Sequence, residues 1–194
     1  MRNIQFFTEQ VHFTIKNKTK IREWLTHVVQ SSARTRALSE PSGASSSRTK
    51  SEITEAEPSK VETPSFAPFQ IGEINIIFCN DDYLLKLNKQ YLGHDTFTDI
   101  ITFDFVEGKI ISGDIFISVD RMKENAKLFH VEQSTEMHRL IVHGVLHLLG
   151  YKDDTAKNKK LMMVQEEVAL ELWSGRFGSA QRPHDIRSTT KVGG

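Results

Sequence analysis

The sequence predicts an α+β fold, a single layered domain in which a mixed sheet of about four strands packs with about five helices. The length supports one domain, because 194 residues can enclose one hydrophobic core but are too few for two ordinary domains. Short β-branched and aromatic runs also intermix with longer runs whose apolar residues recur at helical spacing. The links between these runs are short, which indicates that all of them belong to one domain.

Four segments are predicted to be strands because they are rich in β-branched and aromatic residues. They are residues 4–7, 73–79, 99–105 and 113–119. The last two are joined by the short stretch EGKIIS, which is typical of an antiparallel pair. Three aromatic residues alternate along these two strands and are expected in the core rather than as surfaces for stacking bases. They are Phe103, Phe105 and Phe116.

Five segments are predicted to be helices. They are residues 18–29, 81–91, 120–129, 134–149 and 155–172. Asn80 and Asp120 are expected to cap the second and third helices, and Gly93 is expected to end the second. The last helix has a row of apolar residues at helical spacing, which indicates an amphipathic helix. The row consists of Leu161, Val164, Val168 and Leu172.

Two polar segments are expected to lie outside the folded core. Residues 31–68 are dominated by Ser, Thr, Glu, Lys and Pro and contain few large apolar side chains. Such a segment buries too little apolar surface to offset the entropy of ordering it. We therefore predict one domain over residues 1–173, interrupted by a disordered insertion at about 31–68, and a flexible tail over residues 174–194.

The composition limits location and partners only loosely. Acidic and basic residues balance at 25 each, which neither requires nor excludes a nucleic-acid partner. Cys79 is the single cysteine, so no internal disulfide can form and a reducing compartment is expected. The first residues lack the apolar core of a secretory signal, and no apolar run approaches the roughly 20 residues of a spanning helix. We expect a cytoplasmic protein with no membrane partner.

One predicted helix, MHRLIVHGVLHLLG, is apolar on nearly every side except along a single stripe. The stripe consists of Glu136, Arg139, His143 and His147. His143 and His147 are four residues apart, so their imidazoles can point at one position. Gly150 is well placed to end the helix and to turn the chain so that Asp153 approaches that position.

Two imidazoles and one carboxylate are ligand types that zinc prefers, and three protein ligands leave a fourth position for water, as in catalytic sites. Zinc lowers the pKa of its bound water to about 7, which provides hydroxide at neutral pH. The sequence therefore predicts one zinc ion per chain, or another divalent metal, bound by His143, His147 and Asp153 and used for hydrolysis. The alternative is that these histidines are ordinary core side chains.

The spacing H-x3-H-x2-G-x2-D also fits the frame of the metzincin peptidases. In those enzymes a glutamate follows the first histidine and acts as general base, whereas this chain has Gly144. A peptidase is therefore a disfavoured alternative, in which Asp154 or Glu136 would have to replace the missing base.

The stretch HGVLHLLGY, at residues 143–151, resembles the motif of the YbeY family of bacterial endoribonucleases. The stretches LNKQYLGHDTFTDIITFDF and GDIFIS resemble the other signature segments of that family. The resemblance covers residues 1–29 and 70–173. It implies a zinc-dependent, single-strand-specific endoribonuclease that acts in ribosomal RNA maturation and ribosome quality control, with His143 as a catalytic residue. The implied partners are the small-subunit precursor RNA and ribosomal particles.

Two departures from the family pattern affect the predicted site. Asp153 replaces the third histidine of the family and follows Lys152, where an aspartate is usual. Asp154 is the adjacent alternative ligand and ranks second because it is out of register with the family motif. Leu92 replaces an arginine that is implicated in RNA cleavage in the family. A leucine has neither the charge nor the hydrogen-bond donors with which an arginine could bind a phosphate. His94 and Arg139 are candidates to compensate. The Leu92 departure favours a further alternative, a ribosome-assembly factor whose metal is structural.

Two aspartates at predicted strand starts, Asp99 and Asp114, have two interpretations. Either carboxylate could accept a hydrogen bond from the ring of a metal-binding histidine and so orient it. The alternative is that both residues fix the ends of their strands.

Overall fold

The computed structural model describes residues 3–39 and 69–177. The described ranges contain the predicted four strands and five α-helices. In chain order the elements are β1 (Ile4–Glu9), α1 (Lys18–Ser39), β2 (Gln70–Cys79), α2 (Asp81–Leu87), a π-helical turn (Asn88–Leu92), β3 (Ile100–Asp104), β4 (Ile110–Ser118), α3 (Val119–Leu128), α4 (Gln133–Leu148), α5 (Ala156–Leu172) and a second π-helical turn (Trp173–Phe177).

The four strands form one mixed sheet in the order β1-β2-β4-β3. β1 runs parallel to β2 and β2 runs parallel to β4, whereas β3 is antiparallel to β4. The hairpin confirms the antiparallel pair predicted from the short EGKIIS connection. The mixed sheet and its helices also confirm the predicted α+β class.

The main core lies between one face of the sheet and helices α1, α4 and α5. Trp24 of α1 is fully buried, and its indole N–H donates a 2.8 Å hydrogen bond to the carbonyl of Ala169 in α5. α4 lies close to the sheet at Gly144, where an added Cβ would be 2.7 Å from Cγ2 of Ile115. A larger residue at position 144 would therefore force α4 away from β4.

The opposite face of the sheet is covered in part by α2. Leu84 of α2 is buried against Ile101, and Phe103 and Phe116 pack around them. Phe105, by contrast, is 57% exposed, so its predicted place in the core is wrong. It comes directly after Asp104, the last residue of β3, and so lies outside the strand.

Two of the three predicted helix-end residues are confirmed. The side chain of Asn80 accepts a hydrogen bond from the Tyr83 amide, and Gly93 ends the π-helical turn with φ of 70°. α3 is capped by Ser118 rather than by Asp120, because the Ser118 hydroxyl oxygen accepts a hydrogen bond from the Arg121 backbone amide. The carboxylate of Asp120 instead accepts the amide of Asp81 at the start of α2.

The folded chain extends beyond two of the predicted segment boundaries. α1 continues through Ser39, into the first part of the predicted insertion. Phe177, in the predicted tail, is buried and contacts the ring of His27. Residues 40–68 and 178–194 lie outside the described residues, so the disorder expected there stays a prediction.

The apolar row of α5 does not form its buried face. Leu161, Val164 and Val168 are between 44% and 56% exposed. The buried positions of α5 are instead Met162, Glu166 and Ala169. Across residues 3–39 and 69–177, no helix has the length and apolar character that crossing a membrane would require.

Candidate metal centre

The structure brings His143, His147 and Asp153 together at the C-terminal end of α4. Their candidate ligand atoms all lie within 4.8 Å of one another, and the Nε2 atoms of the two histidines are 3.0 Å apart. Gly150 has φ of 85°, a left-handed conformation that ends the helix and reverses the chain. This reversal is what brings Asp153 back towards the histidines.

Each imidazole has its Nδ1 atom next to an oxygen that can only accept a hydrogen bond. The His143 Nδ1 atom lies 2.7 Å from Glu166 Oε1, and that of His147 lies 3.1 Å from the Tyr151 carbonyl. The protons of the neutral rings therefore belong on Nδ1. Both Nε2 atoms then carry lone pairs that face each other at 3.0 Å, an arrangement that favours a cation between them.

The electrostatic surroundings keep at least one ring in its metal-binding form. Burial lowers the pKa of His147 below its usual value, the proximity of His143 lowers it further, and the charge of Asp153 partly opposes the shift. A lower pKa means that the neutral ring dominates at neutral pH. Neutral imidazole is the form that binds metals.

A chain of charged side chains extends from His143 into the protein. Arg139 donates two hydrogen bonds to the almost fully buried Glu136, at 2.8 and 2.6 Å. Its guanidinium also lies 3.8 Å from Glu166 and 3.7 Å from Asp99. Three carboxylates thus surround one guanidinium, and the excess negative charge next to His143 favours a bound cation.

Sequence reasoning missed Glu166, which contacts His143 directly. Glu166, rather than Asp99 or Asp114, places its carboxylate against a histidine ring. Asp99 accepts a hydrogen bond from Asn125 and lies 3.7 Å from Arg139, and neither of these contacts is with a histidine ring. Asp114 lies in the middle of β4 and accepts a hydrogen bond from Asn75. Its predicted position at a strand end is therefore wrong.

The alternative ligand and one proposed compensating residue are both engaged elsewhere. Asp154 is exposed and accepts a hydrogen bond from the Asn158 amide at 2.7 Å, so it belongs to the start of α5. Arg139 is paired with Glu136 beneath the histidines. A partly buried guanidinium that already donates two hydrogen bonds to a carboxylate is poorly available to a substrate phosphate.

A cleft of about 600 Å³ opens beside His147. Its lining residues come from the first π-helical turn, the loop before β3, β3 itself, the end of α4 and the turn after α4. They are Asn88, Leu92, His94, Thr96, Phe97, Thr98, Ile100, Ile101, Thr102, Asp104, His147, Gly150, Tyr151 and Lys152. His94 and Lys152 therefore lie in the same cleft as Leu92, where the family arginine is replaced.

Together, the fold and the site define an α+β protein with a helix-borne pair of histidines, a nearby carboxylate and an adjoining cleft. The family model described as Endoribonuclease YbeY matches residues 44–174. The chain belongs to the YbeY family. This finding agrees with the resemblance carried by HGVLHLLGY.

Curated relatives support the same family. An Endoribonuclease YbeY from Cytophaga hutchinsonii is 38% identical over 171 residues, covering 87% of this chain and 94% of the relative. One from Flavobacterium johnsoniae is 50% identical over 102 residues, covering 53% of this chain and 73% of the relative. A solution structure from Thermotoga maritima aligns with a TM-score of 0.47 and 23% identity, over 88% of this chain and 89% of that chain.

Proposed function

We propose that this protein is a zinc-dependent endoribonuclease that cuts single-stranded RNA during ribosomal RNA maturation and ribosome quality control. The observation that carries the proposal is the arrangement of two bare Nε2 atoms and the Asp153 carboxylate beside an open cleft, in a chain of the YbeY family. The relatives are named endoribonucleases, and we extend that activity to this chain. Precursor small-subunit RNA and ribosomal particles in the cytoplasm are the proposed partners.

In this proposal His143, His147 and Asp153 bind one zinc ion, and His143 is part of the catalytic centre. When bound, zinc would provide an activated water and polarise a phosphodiester oxygen. Glu166 keeps the ring of His143 in the orientation and tautomer that leave Nε2 free. Lys152 and His94 are side chains of the cleft whose N–H groups can contact the phosphates of a bound strand.

The peptidase alternative is weakened by the position of Gly144. An added Cβ at this residue would point at Ile115 and Ile100 of the sheet, at 2.7 and 3.2 Å. A glutamate there would have no room, and it would face the core rather than the histidines. Of the proposed replacements, Glu136 is paired with Arg139 and Asp154 with Asn158.

The test is cleavage of a single-stranded ribosomal RNA fragment by the purified full chain, with and without a chelator. His143→Ala and His147→Ala should each lose cleavage and bound zinc, and the metal content of each preparation should be measured. His12→Ala is the matched control, since His12 is exposed and does not belong to the ligand cluster. A duplex of the same sequence should resist cleavage.

The other outcomes separate the alternatives. Bound zinc without RNA cleavage, together with co-sedimentation of a folded His147→Ala variant with ribosomal particles, would favour an assembly factor. Digestion of casein that stops on chelation would favour a peptidase. Folded protein that binds no metal would refute the proposed centre. The product ends would show the nucleophile, because a 2′,3′-cyclic phosphate requires attack by the ribose hydroxyl.

A further inference from the structure

One wall of the cleft is the loop over residues 93–99, which precedes β3. Phe97 of this loop is 51% exposed, although phenylalanine is among the residues most often buried. Burial in the core therefore does not account for its large apolar ring. Phe97 lines the cleft together with Leu92 and Thr98, and the same cleft reaches His147. This position indicates that the ring contacts the substrate.

The ring of Phe97 is supported on one side by a cation that is itself fixed. The Arg121 guanidinium lies 4.8 Å from the centre of the ring, a cation–π distance. Arg121 forms ion pairs with Asp81 at 3.0 Å and with Glu124 at 2.9 Å. Since the ring is held before any ligand arrives, a planar group that stacks on it loses less conformational entropy on binding.

We propose that Phe97 stacks on an unpaired base of the RNA strand in this cleft and so contributes to the selection of single-stranded substrate. The inference rests on the proposed nuclease function. Every base has an aromatic face that can stack, but in a duplex both faces are already occupied by neighbouring base pairs. An aromatic wall therefore binds unpaired nucleotides of any sequence and disfavours duplex.

The charged side chains of the cleft are suited to contact phosphates, whereas Phe97 is suited to stack on a base. His94 and Lys152 can contact phosphates, while Asp104 is the only carboxylate among the described residues that line this cleft. Stacking of Phe97 on a base does not depend on the phosphate charge of the RNA, so its contribution should persist at salt concentrations that weaken the phosphate contacts. Single-strand binding by other proteins combines the same two elements, a cationic groove and aromatic stacking surfaces.

The test is a double-mutant cycle in which one mutation is in the protein and the other is in the RNA. The cleaved bond is first mapped on a single-stranded ribosomal RNA fragment with the zinc-loaded full chain. Two further RNAs then carry an abasic nucleotide immediately on the 5′ or the 3′ side of that bond. The kcat/KM for cleavage is measured for wild type, Phe97→Ala and Phe97→Trp, and binding of the same RNAs is measured in chelator.

Phe97→Ala should weaken binding and lower kcat/KM on intact RNA by about 5- to 150-fold, the range expected for loss of one stacked base. On the RNA that lacks the stacked base, the same substitution should change either quantity by less than about twofold. Phe97→Trp should retain both, because a larger aromatic ring still stacks. Phe129→Ala is the matched control, since Phe129 is 52% exposed but does not line the cleft.

Equal losses on intact and abasic RNA would refute stacking and assign Phe97 a structural role instead. An unchanged Phe97→Ala variant on intact RNA would also refute the inference. A wild-type protein that neither binds nor cuts the RNA would refute the proposed function, which distinguishes that failure from a failure of the Phe97 inference alone.

Discussion

Replacing Glu166 with glutamine should weaken metal binding without unfolding the protein. The Glu166 carboxylate lies 2.7 Å from Nδ1 of His143, and this contact fixes the ring with Nε2 directed at the candidate metal position. Glutamine has nearly the same shape but no charge, and its amide can rotate to present a donor to the ring. Loss of such a carboxylate partner typically lowers metal affinity by about 10- to 100-fold, or about 1.4 to 2.7 kcal/mol.

The fold should tolerate this substitution because the nearest guanidinium keeps its main partner. Arg139 lies 3.8 Å from Glu166 but only 2.6 Å from Glu136, to which it donates two hydrogen bonds. Removal of the Glu166 charge therefore leaves Arg139 paired. We expect the melting temperature of the metal-free Glu166→Gln variant to stay close to that of the metal-free wild type.

The assay is competition for zinc between the full chain and a fluorescent chelator of known affinity. Glu167→Gln is the matched control, because it makes the same substitution at the adjacent, exposed position. Glu166→Gln with wild-type zinc affinity would refute the argument that this carboxylate orients His143. An equal loss in Glu167→Gln would show that the effect is one of general charge rather than of the contact.

Three further predictions concern stability, each measured by urea denaturation of metal-free protein. Burial lowers the pKa of His138 to about 4. Between about pH 6.5 and pH 4 the unfolded chain therefore binds a proton at this residue that the folded chain does not bind. The free energy of unfolding consequently falls as the pH drops from about 6.5 to 4. The stability difference between wild type and His138→Phe should change by about 3 kcal/mol between pH 7 and 4, and a constant difference would contradict this. Gly144→Ala should lower the free energy of unfolding by roughly 1 to 2 kcal/mol, because the close contact with the stiff Ile115 side chain outweighs the gain in helix propensity. A variant more stable than wild type would show that α4 can shift away from the sheet. Trp24→Phe should cost about 2 to 3 kcal/mol by leaving the buried Ala169 carbonyl without its donor, and a loss under about 0.5 kcal/mol would mean that another group replaces it.

The elements of the fold were predictable because their signals are local. The strand runs are β-branched, and Asn80 and Gly93 mark the ends of the second helical segment with residues suited to those positions. The His143 and His147 pair was predictable for the same reason, since a spacing of four residues on a helix places two side chains on one face. The turn at Gly150 follows from the freedom of glycine to adopt positive φ.

The partner of His143 was not predictable, because it depends on which side of α5 faces α4. The apolar row of Leu161, Val164 and Val168 suggested the wrong side. The side that is buried includes Glu166, whose charge is compensated only when His143 and Arg139 are brought near it by the fold. Periodicity ranks faces by apolarity, and it therefore fails where a helix buries a functional carboxylate.

The effect of Leu92 on the binding of phosphate depends on the total charge around the cleft, not on position 92 alone. Leu92 contributes no charge to the cleft, but Lys152 lies in the same lining, next to Asp153 in the chain. A carboxylate ligand lowers the net charge of a metal centre and so reduces its attraction for phosphate, and a lysine beside it partly restores that attraction. The substitutions at positions 92, 152 and 153 are therefore best understood together, as one redistribution of charge around the cleft. Under the proposed function, the cation that would contact phosphate lies in the turn after α4 rather than in the π-helical turn that contains Leu92.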